Sequence, residues 1–411
     1  MLTINSSRLL ANLEELGQIG AAAAGGVSRP ALSQADVAGR DWFKRRVLAA
    51  GLQFRADGAG NLSALLPAQH SEAKTVLAGS HLDTVPNGGR FDGALGVLCA
   101  LEALQTIKEA GVKLPCHLEA ISFTDEEGAV VSMLGSRALT GQLTPADLRD
   151  VRQPGALDAG LRRLKLTRAD VLAAGRNPAT LAGFVELHIE QGRRLESQQL
   201  DLGVVTAIVG IRSFWLHFTG QAGHAGTTPL AARADALRGA AAFVLAAQQL
   251  VQERHSPGVM NCGQIQVEPG SFNIIPARVR LALEFRHGTE AELEAMQADL
   301  LALAGTVAGQ HGLEFSSEVV DACRAAAMDA ALIGLVERTA AELGLTSTRL
   351  LSFAGHDSQT MSAITPTALF FVPSVNGISH NPAEFTHPKD VVNGANVLLH
   401  TLLQLAGRCS D

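Results

Sequence analysis

The chain has 411 residues, of which 47% are hydrophobic and 18% charged, a balance typical of a globular protein long enough for two domains. Its net charge of −7 includes no basic run, so we expect no nucleic-acid partner. There is no signal-peptide pattern and no apolar stretch of membrane length, and the five scattered cysteines favour reduced thiols; we therefore expect a cytoplasmic protein without a membrane partner.

The first half of the chain alternates short apolar runs with helical patterns. Residues 1–40 are interpreted as largely helical, and a further helix is predicted from Ser33 to about Ala50. The apolar runs TVLAGS, HLEAISF and FVELHI are interpreted as buried strands, with a helix over Ala94–Glu109 between the first two. This alternation predicts the α/β class, with a mixed sheet flanked by helices.

The pattern changes at Gly210. IRSFWLHFTG and VRLALEFRH alternate polar and apolar residues, which predicts two long strands, and helices are predicted over Ala231–Gln252 and Glu290–Ala308. Helical segments, the strand TALFFV and a closing helix follow. We therefore predict an α+β domain inserted into a discontinuous α/β domain. The predicted boundaries are 1–209 and 326–411 for the α/β domain and 210–325 for the insert.

Acidic residues and histidines follow nearly every predicted core strand. In open α/β sheets, ligands lie beyond the carboxyl ends of the strands. The residues at these ends are His81, Asp83, Asp92, Glu126, Glu127, His188, Glu190, His356, Asp357, His380 and Glu384. Each one alone is more often a satisfied loop or turn residue than a ligand, but five independent accidents would have to meet at one sheet edge. Imidazole and carboxylate ligands suit Zn²⁺, Mn²⁺, Co²⁺ and Ni²⁺, and one carboxylate can bridge two ions about 3.5–4 Å apart.

Seven motifs, in order along nearly the whole chain, resemble those of one family. They are HLDTVPNGGRFDG, FTDEEG, ELHIEQG, GHAGTTP, FNIIP, AGHD and GISHNPAE. The set is similar to that of the N-carbamoyl-L-amino-acid amidohydrolase, allantoate amidohydrolase and β-ureidopropionase family, within the aminoacylase and carboxypeptidase-type dinuclear metallohydrolases. The resemblance implies a metallopeptidase-like catalytic domain, an inserted dimerisation or lid domain, and two divalent cations per subunit. Zn²⁺ is the first expectation, with Mn²⁺, Co²⁺ and Ni²⁺ as alternatives.

The resemblance also implies roles for individual residues near the metals. Glu126 resembles the general base, which takes a proton from water and passes it to the departing nitrogen. Asp83 resembles the carboxylate that fixes the imidazole tautomer of His81. The glycines between His81 and Asp92 would let this loop fold back, so that both of its ends reach the same ions. The implied metal ligands are His81, Asp92, Glu127, His188 and His380, with Asp92 bridging the two ions.

Residues of the inserted domain are implied to hold the substrate. His224 of GHAGTTP would stabilise the oxyanion and would be delivered by the partner subunit of a homodimer. Asn273 and Arg286 resemble the groups that grip the substrate carboxylate, although Arg286 paired with Glu284 is an equally good interpretation. Arg212 is implied for the far end of a ureido acid, with a buried structural arginine as the alternative. The remaining implied pocket contacts are Gln191, Gly355 and His356.

One stretch departs from the family pattern. EEGAVVSMLGSRALTG is shorter than the usual connection and lacks the Arg-Phe pair that family members carry after the acidic pair. The ligands are untouched, but we expect an altered pocket wall behind Glu127. The departure therefore bears on the choice of substrate and leaves the chemistry in place.

We predict a homodimeric, dinuclear metal amidohydrolase that cleaves the carbamoyl C–N bond of N-carbamoyl-L-amino acids to the amino acid, CO₂ and ammonia. Allantoate amidohydrolase is the nearest alternative, and β-ureidopropionase, dipeptidase or aminoacylase activities are more distant ones. A non-catalytic binding or scaffold protein that retains the fold is a hypothesis from another class. It predicts the loss of a ligand or of Glu126, and none of these residues is missing.

Overall fold

The computed structural model describes residues 1–22, 25–149 and 155–410. The chain divides into two compact units. The first comprises residues 1–206, 328–350 and 354–411, and the second comprises residues 207–327 and 351–353.

The described residues form the following regular elements. The strands are β1 (Gln53–Ala56), β2 (Leu62–Leu66), β3 (Thr75–His81), β4 (His117–Phe123), β5 (Leu181–Ile189), β6 (Leu202–Ile208), β7 (Gly210–Thr219), β8 (Val259–Glu268), β9 (Arg278–His287), β10 (Glu314–Cys323), β11 (Ala326–Ala327), β12 (Ser347–Ser352) and β13 (Thr367–Val372). The α-helices are α1 (Ser6–Gly17), α2 (Gln34–Ala49), α3 (Ala94–Glu109), α4 (Leu134–Leu139), α5 (Ala156–Leu164), α6 (Arg168–Leu172), α7 (Arg194–Gln198), α8 (Ala236–Arg254), α9 (Glu290–Gln310), α10 (Ala330–Glu342), α11 (Asp357–Met361) and α12 (Pro388–Gly407).

The larger sheet has a parallel centre and antiparallel flanks. Its strand order is β1-β2-β4-β3-β5-β13-β6-β11, with β12 also paired to β6. Strand β3 runs parallel to both β4 and β5, and β13 runs parallel to β5, whereas β2 and β6 pair with this centre in the antiparallel sense. The four parallel strands therefore present their carboxyl ends at one edge, where ligands bind in such sheets. The predicted α/β class with a mixed sheet is confirmed.

Helices cover this sheet because its central strands are apolar on both faces. Every residue of β3 and β13 is buried. Helix α3 packs on β3 and on α12, and it is buried around most of its circumference. Another buried cluster joins Leu77, Ile121 and Phe184 of the sheet to Leu139 of α4 and Met361 of α11. Burial on both sides explains why these strands appear in the sequence as continuous apolar runs.

The N-terminal region is less helical than predicted. Helix α2 begins where expected, because the Ser33 hydroxyl accepts a hydrogen bond from the backbone N–H of Asp36 at 3.1 Å and so caps the helix. The interpretation of residues 1–40 as largely helical is wrong for residues 18–22 and 25–33, which contain no helix. Gly20 and Gly25 there have positive φ values of 87° and 94°, which a helix does not tolerate.

The second unit is a four-stranded antiparallel sheet with the order β10-β7-β9-β8. Helices α8 and α9 pack on β7 and β9. The predicted alternation in these strands is confirmed, because one side chain in two enters the core beneath the helices. The buried strand residues are Phe214, Leu216, Phe218, Val279, Leu281, Leu283 and Phe285. The outer strands β8 and β10 were not predicted, and most of their residues are exposed.

Within the described residues, no helix combines the length and the apolar character needed to cross a bilayer.

We predict that Gly79→Ala lowers the free energy of unfolding by roughly 3 kcal/mol, because a Cβ atom at this position of β3 would overlap the backbone carbonyl of Ile121 in β4. Neither strand can move away without breaking the ladder that carries His81. Denaturant unfolding followed by circular dichroism measures the change. Gly407→Ala is the control, since a Cβ atom there meets nothing within 4 Å. Equal stability of the two variants would contradict this account.

Candidate metal centre

The loop between β3 and α3 carries Asp92 back to the end of β3. Gly93 closes the loop with a positive φ of 63°, and a Cβ atom on it would overlap the His81 ring. Any residue larger than glycine would therefore push the loop away from this histidine. Glycine at position 93 lets Asp92 and His81 approach each other.

One group of candidate ligands consists of His81, His188 and one oxygen of Asp92. The Nδ1 atoms of the two histidines lie 3.0 Å from the Asp83 carbonyl oxygen and 2.9 Å from the Ile189 carbonyl oxygen. Because a carbonyl oxygen only accepts, each Nδ1 donates, and in the neutral ring each Nε2 then carries the lone pair. Both Nε2 atoms face Oδ1 of Asp92, at 3.6 Å from His81 and 3.1 Å from His188. Three acceptors thus converge on one point.

A second group consists of Glu127, His380 and the other oxygen of Asp92. Nε2 of His380 lies 3.4 Å from Oδ2 of Asp92 and 3.5 Å from Oε1 of Glu127. Oε1 of Glu127 is buried and has no hydrogen-bond partner within the part of the chain that the structure describes. Asp92 therefore offers one oxygen to each group, which is the geometry of a bridging carboxylate.

Further acids surround these two groups. Oε2 of Glu126 lies 3.6 Å from Nε2 of His81. Burying this much negative charge is costly unless cations compensate it, and acceptors that face one another at 3.1–3.6 Å require a positive charge between them. The residues therefore fit a pair of divalent cations. The surrounding buried acids are Asp83, Asp125, Asp357, Glu186 and Glu384.

The excess of buried negative charge also shifts the pKa values of His81, His380 and Glu126. Burial disfavours the charged form of His81, but the nearby carboxylates of Glu126 and Asp92 outweigh this effect and raise its pKa well above the usual value. The hydrogen bond with Asp92 raises the pKa of His380 to about 9. Burial raises the pKa of Glu126 well above the usual value, although the charge of His81 opposes the rise. The raised pKa values of these three side chains favour bound protons, which a bound cation would displace.

The contact between Asp83 and His81 differs from the prediction. Oδ1 of the Asp83 carboxylate lies 3.8 Å from Nδ1 of His81, which is too long for a hydrogen bond, whereas the Asp83 carbonyl oxygen lies at 3.0 Å. The backbone of Asp83 therefore sets the tautomer. Its carboxylate accepts a hydrogen bond from the backbone N–H of Glu127 at 3.4 Å and so ties two loops of the centre together.

A cavity of about 190 Å³ opens above the candidate ligands. Gln191 and Gly355, two of the expected pocket contacts, line it, and Nε2 of Gln191 donates to Oδ2 of Asp92 at 2.9 Å. Ser132 and Met133 form part of the wall, in the segment that departs from the family pattern. His356 is buried beside His188, with 4.6 Å between ring centroids, and burial holds its pKa well below the usual value.

His224 and Asn273 lie on two exposed, joined loops of the second unit. The backbone N–H of Ala225 donates to the carbonyl oxygen of Asn273 at 3.0 Å. Nδ1 of His224 accepts hydrogen bonds from the backbone N–H groups of Gly226 and Thr227 at 3.1 and 3.2 Å. The proton of the neutral ring therefore resides on Nε2, and His224 presents an N–H donor.

The two predicted arginines of the second unit have acidic partners. The Arg286 guanidinium lies 2.7 Å from Glu284 and donates to the Phe353 carbonyl oxygen at 2.7 Å. Arg212 lies 2.6 Å from Glu290. These contacts are the structural alternatives for both residues, and their substrate-binding roles stay predictions.

Two further residues hold the centre and were given no role from the sequence. The hydroxyl of Ser379 lies 2.8 Å from Oδ2 of Asp92, and the Glu384 carboxylate accepts hydrogen bonds from the loop that carries Asp92. Both belong to the segment SHNPAE, in which Glu384 was noted at a strand end but only His380 was assigned a role. The small and acidic residues that flank a candidate ligand were the available signal.

The chain is similar to known proteins over nearly its whole length. The model of peptidase family M20/M25/M40 matches residues 77–404. An N-carbamoyl-L-amino acid amidohydrolase of Geobacillus stearothermophilus is 36% identical over 98% of this chain and 99% of its own length. An allantoate amidohydrolase of Bacillus subtilis (strain 168) is 34% identical over 96% of each chain. A crystal structure of a hydantoinase/carbamoylase family amidase from Burkholderia multivorans has a TM-score of 0.90 and 35% identity over 98% of each chain.

The family model covers most of the chain, and the relatives match it from end to end. All five candidate ligands and Glu126 lie within the matched residues. The chain therefore belongs to peptidase family M20/M25/M40.

Proposed function

We propose that this protein is a dinuclear metal amidohydrolase that cleaves the carbamoyl C–N bond of N-carbamoyl-L-amino acids. The two-sided placement of Asp92, with one oxygen in each ligand group, carries the proposal. The substrate class is supported by the similarity of the chain to relatives such as the N-carbamoyl-L-amino acid amidohydrolase of Geobacillus stearothermophilus. One water is consumed, and the amino acid, CO₂ and ammonia are released. We further propose Zn²⁺ as the resident cation, with Mn²⁺, Co²⁺ or Ni²⁺ as alternatives, and a cytoplasmic location.

The protein's own residues would divide the chemistry among them. His81 and His188 with Asp92 would hold one cation, and Glu127 and His380 with Asp92 the other. When bound, the cations supply Lewis acidity, which makes water more acidic and the ureido carbonyl more electrophilic. The Glu126 carboxylate would take the proton of the attacking water and pass it to the departing nitrogen.

The second unit would contribute to substrate binding in a homodimer. We propose that the partner subunit supplies His224, whose Nε2–H would donate to the developing oxyanion. Asn273 and Arg286 would bind the substrate carboxylate, and Arg286 would then exchange its contact with Glu284 for the substrate. Arg212, Gln191, Gly355 and His356 remain proposed pocket contacts. The exposed apolar side chains of this unit support an assembly. They include Leu230, Val259, Ile265, Phe272, Val319 and Val320.

Allantoate hydrolysis is the second candidate function. The 34% identity to an allantoate amidohydrolase favours it almost as strongly as the first candidate. Both activities would use the same ligands and the same general base. They differ in the group that occupies the far end of the pocket.

We expect a substrate panel to separate these functions. After reconstitution with Zn²⁺ or Mn²⁺, ammonia release is measured with N-carbamoyl-L- and D-amino acids, allantoate, N-carbamoyl-β-alanine and a dipeptide. The proposal predicts the highest kcat/KM for an N-carbamoyl-L-amino acid. A higher value for allantoate would favour the second candidate, and an absence of turnover with every compound would favour the binding or scaffold hypothesis.

Glu126→Gln is expected to lower kcat by at least about 10²-fold with normal metal content, because it removes the proton acceptor and leaves the ligand groups intact. The adjacent Glu127→Gln is the matched comparison, since it removes a candidate ligand. We expect this second variant to lose about half of the bound metal. Elemental analysis beside an ammonia-release assay measures both quantities. Metal loss in Glu126→Gln and not in Glu127→Gln would reverse the two assignments.

Mixing two inactive variants tests the dimer. Glu126→Gln and His224→Ala are each expected to be inactive. If His224 acts across the interface, subunit exchange between equal amounts should recover about one quarter of wild-type activity, because half of randomly paired dimers are mixed and each has one complete site. Sedimentation velocity verifies the dimer. An exchanged mixture that stays inactive would place His224 in its own subunit's site, and an active His224→Ala would place it outside catalysis.

A further inference from the structure

The segment from Ser379 to Glu384 folds into a tight turn beneath His380. The backbone N–H of Ala383 donates to the Asn381 side chain at 2.9 Å, and the N–H of Glu384 donates to the Asn381 carbonyl oxygen at 3.0 Å. His380 adopts a positive φ of 54° in this turn. One short turn therefore carries a candidate ligand, a hydroxyl and a carboxylate.

Glu384 is directed away from solvent and binds the backbone of the loop that ends in Asp92. Its side chain is only 3% exposed. Oε1 accepts hydrogen bonds from the backbone N–H groups of Phe91 at 2.8 Å and Asp92 at 3.1 Å. A Cβ atom on Gly89 would overlap the carboxyl group, so glycine at position 89 makes room for it. The carboxylate thus satisfies two buried donors and fixes the last turn of the loop.

Ser379 links the two carboxylates. Its hydroxyl lies 2.8 Å from Oδ2 of Asp92 and 3.2 Å from Oε2 of Glu384, and it donates its single proton to one of them at a time. Nε2 of Gln191 donates to the same Asp92 oxygen at 2.9 Å. The backbone and the side chain of Asp92 are therefore held from the turn that presents His380.

We propose that Glu384 is a positioning residue that aims the Asp92 carboxylate at both ligand groups, and that it does so by accepting the Phe91 and Asp92 N–H groups. The proposal rests on the proposed dinuclear function. It assigns no contact between Glu384 and substrate. The cation held by Glu127 and His380 should depend on it most, because the side chain of His380 is 51% exposed and is carried by the same turn.

Zn²⁺ titration of the metal-free full chain tests the proposal without an activity assay. Wild type is expected to take up two Zn²⁺ ions. In Glu384→Ala we expect the weaker of the two to bind about 10–100-fold less tightly, the usual effect of removing a group that orients a ligand. Glu384→Gln should restore wild-type uptake, because its amide oxygen accepts both backbone N–H groups and its NH₂ group donates to Ser379.

Glu14→Ala is the matched control. Glu14 also binds the loop, through Arg90 at 2.6 Å, but both side chains are exposed, with 59% and 42% of their surfaces accessible. We expect unchanged Zn²⁺ affinity in this variant. Circular dichroism of each metal-free variant verifies folding. If Glu384→Ala fails to fold, Glu384→Asp replaces it, because this side chain keeps the charge and is too short to accept both N–H groups.

The outcomes distinguish a failure of the proposed function from a failure of the positioning role of Glu384. Wild type that takes up no Zn²⁺ would overturn the proposed function itself. Wild type with two ions and Glu384→Ala with unchanged affinity would overturn only the positioning role. Equal loss in Glu384→Gln and Glu384→Ala would also overturn it, because charge and not hydrogen-bond acceptance would then be decisive. Wild-type Zn²⁺ affinity in Glu384→Asp would overturn the positioning role as well.

Discussion

The arrangement of the candidate metal centre depends on one constraint, which is that hydrogen-bond acceptors from four other residues face the Asp92 carboxylate. One of its oxygens faces the Nε2 atoms of His81 and His188, and the other faces Glu127 and His380. In a buried environment such acceptors repel one another unless positive charge lies between them. Folding of this sheet edge and binding of cations are therefore linked, because the same side chains build the edge and create the demand for charge.

The fold positions the candidate ligands on rigid strands and on short loops that follow them. His81 and His188 belong to parallel strands, so their positions are set by the sheet ladder. Asp92 lies on a loop, and its position requires glycine at residue 93, where the backbone contacts the His81 ring. Carbonyl oxygens of Asp83 and Ile189 then orient the two imidazoles. Such outer contacts narrow the directions that each ligand can take.

The second unit is built on different principles. Its sheet buries one face beneath α8 and α9 and leaves the other face more polar, where Arg286 pairs with Glu284. Arg286 is held by Glu284 and by the Phe353 carbonyl, so its guanidinium is already oriented as a planar fork. The Nδ1 atom of His224 is occupied by two backbone N–H groups, which leaves the other nitrogen as the donor. Both features suit the substrate-binding roles proposed for Arg286 and His224.

The sequence by itself determined the elements whose burial is one-sided or complete. Strands β7 and β9 were predictable because alternate side chains enter a core, and β3, β4 and β5 because nearly all of theirs do. Edge strands such as β8 and β10 leave most of their residues exposed, so burial imposes no periodicity on them. The candidate ligands were also expected from the sequence, because histidines and acidic residues within or soon after buried strands have no role in a core and because the motifs around them resemble those of one family.

Only the tertiary structure decided how these residues are held. Glu384 binds the backbone N–H of Phe91 across 293 positions of the chain, and no local pattern encodes such a contact. The pairing of Arg212 with Glu290 and the contact of Arg286 with the Phe353 carbonyl oxygen were not predictable either, and neither was the contact of His81 with the carbonyl oxygen of Asp83 in place of its carboxylate. Residue type limits what a side chain can donate or accept, whereas the partner that it meets depends on distances that exist only after folding.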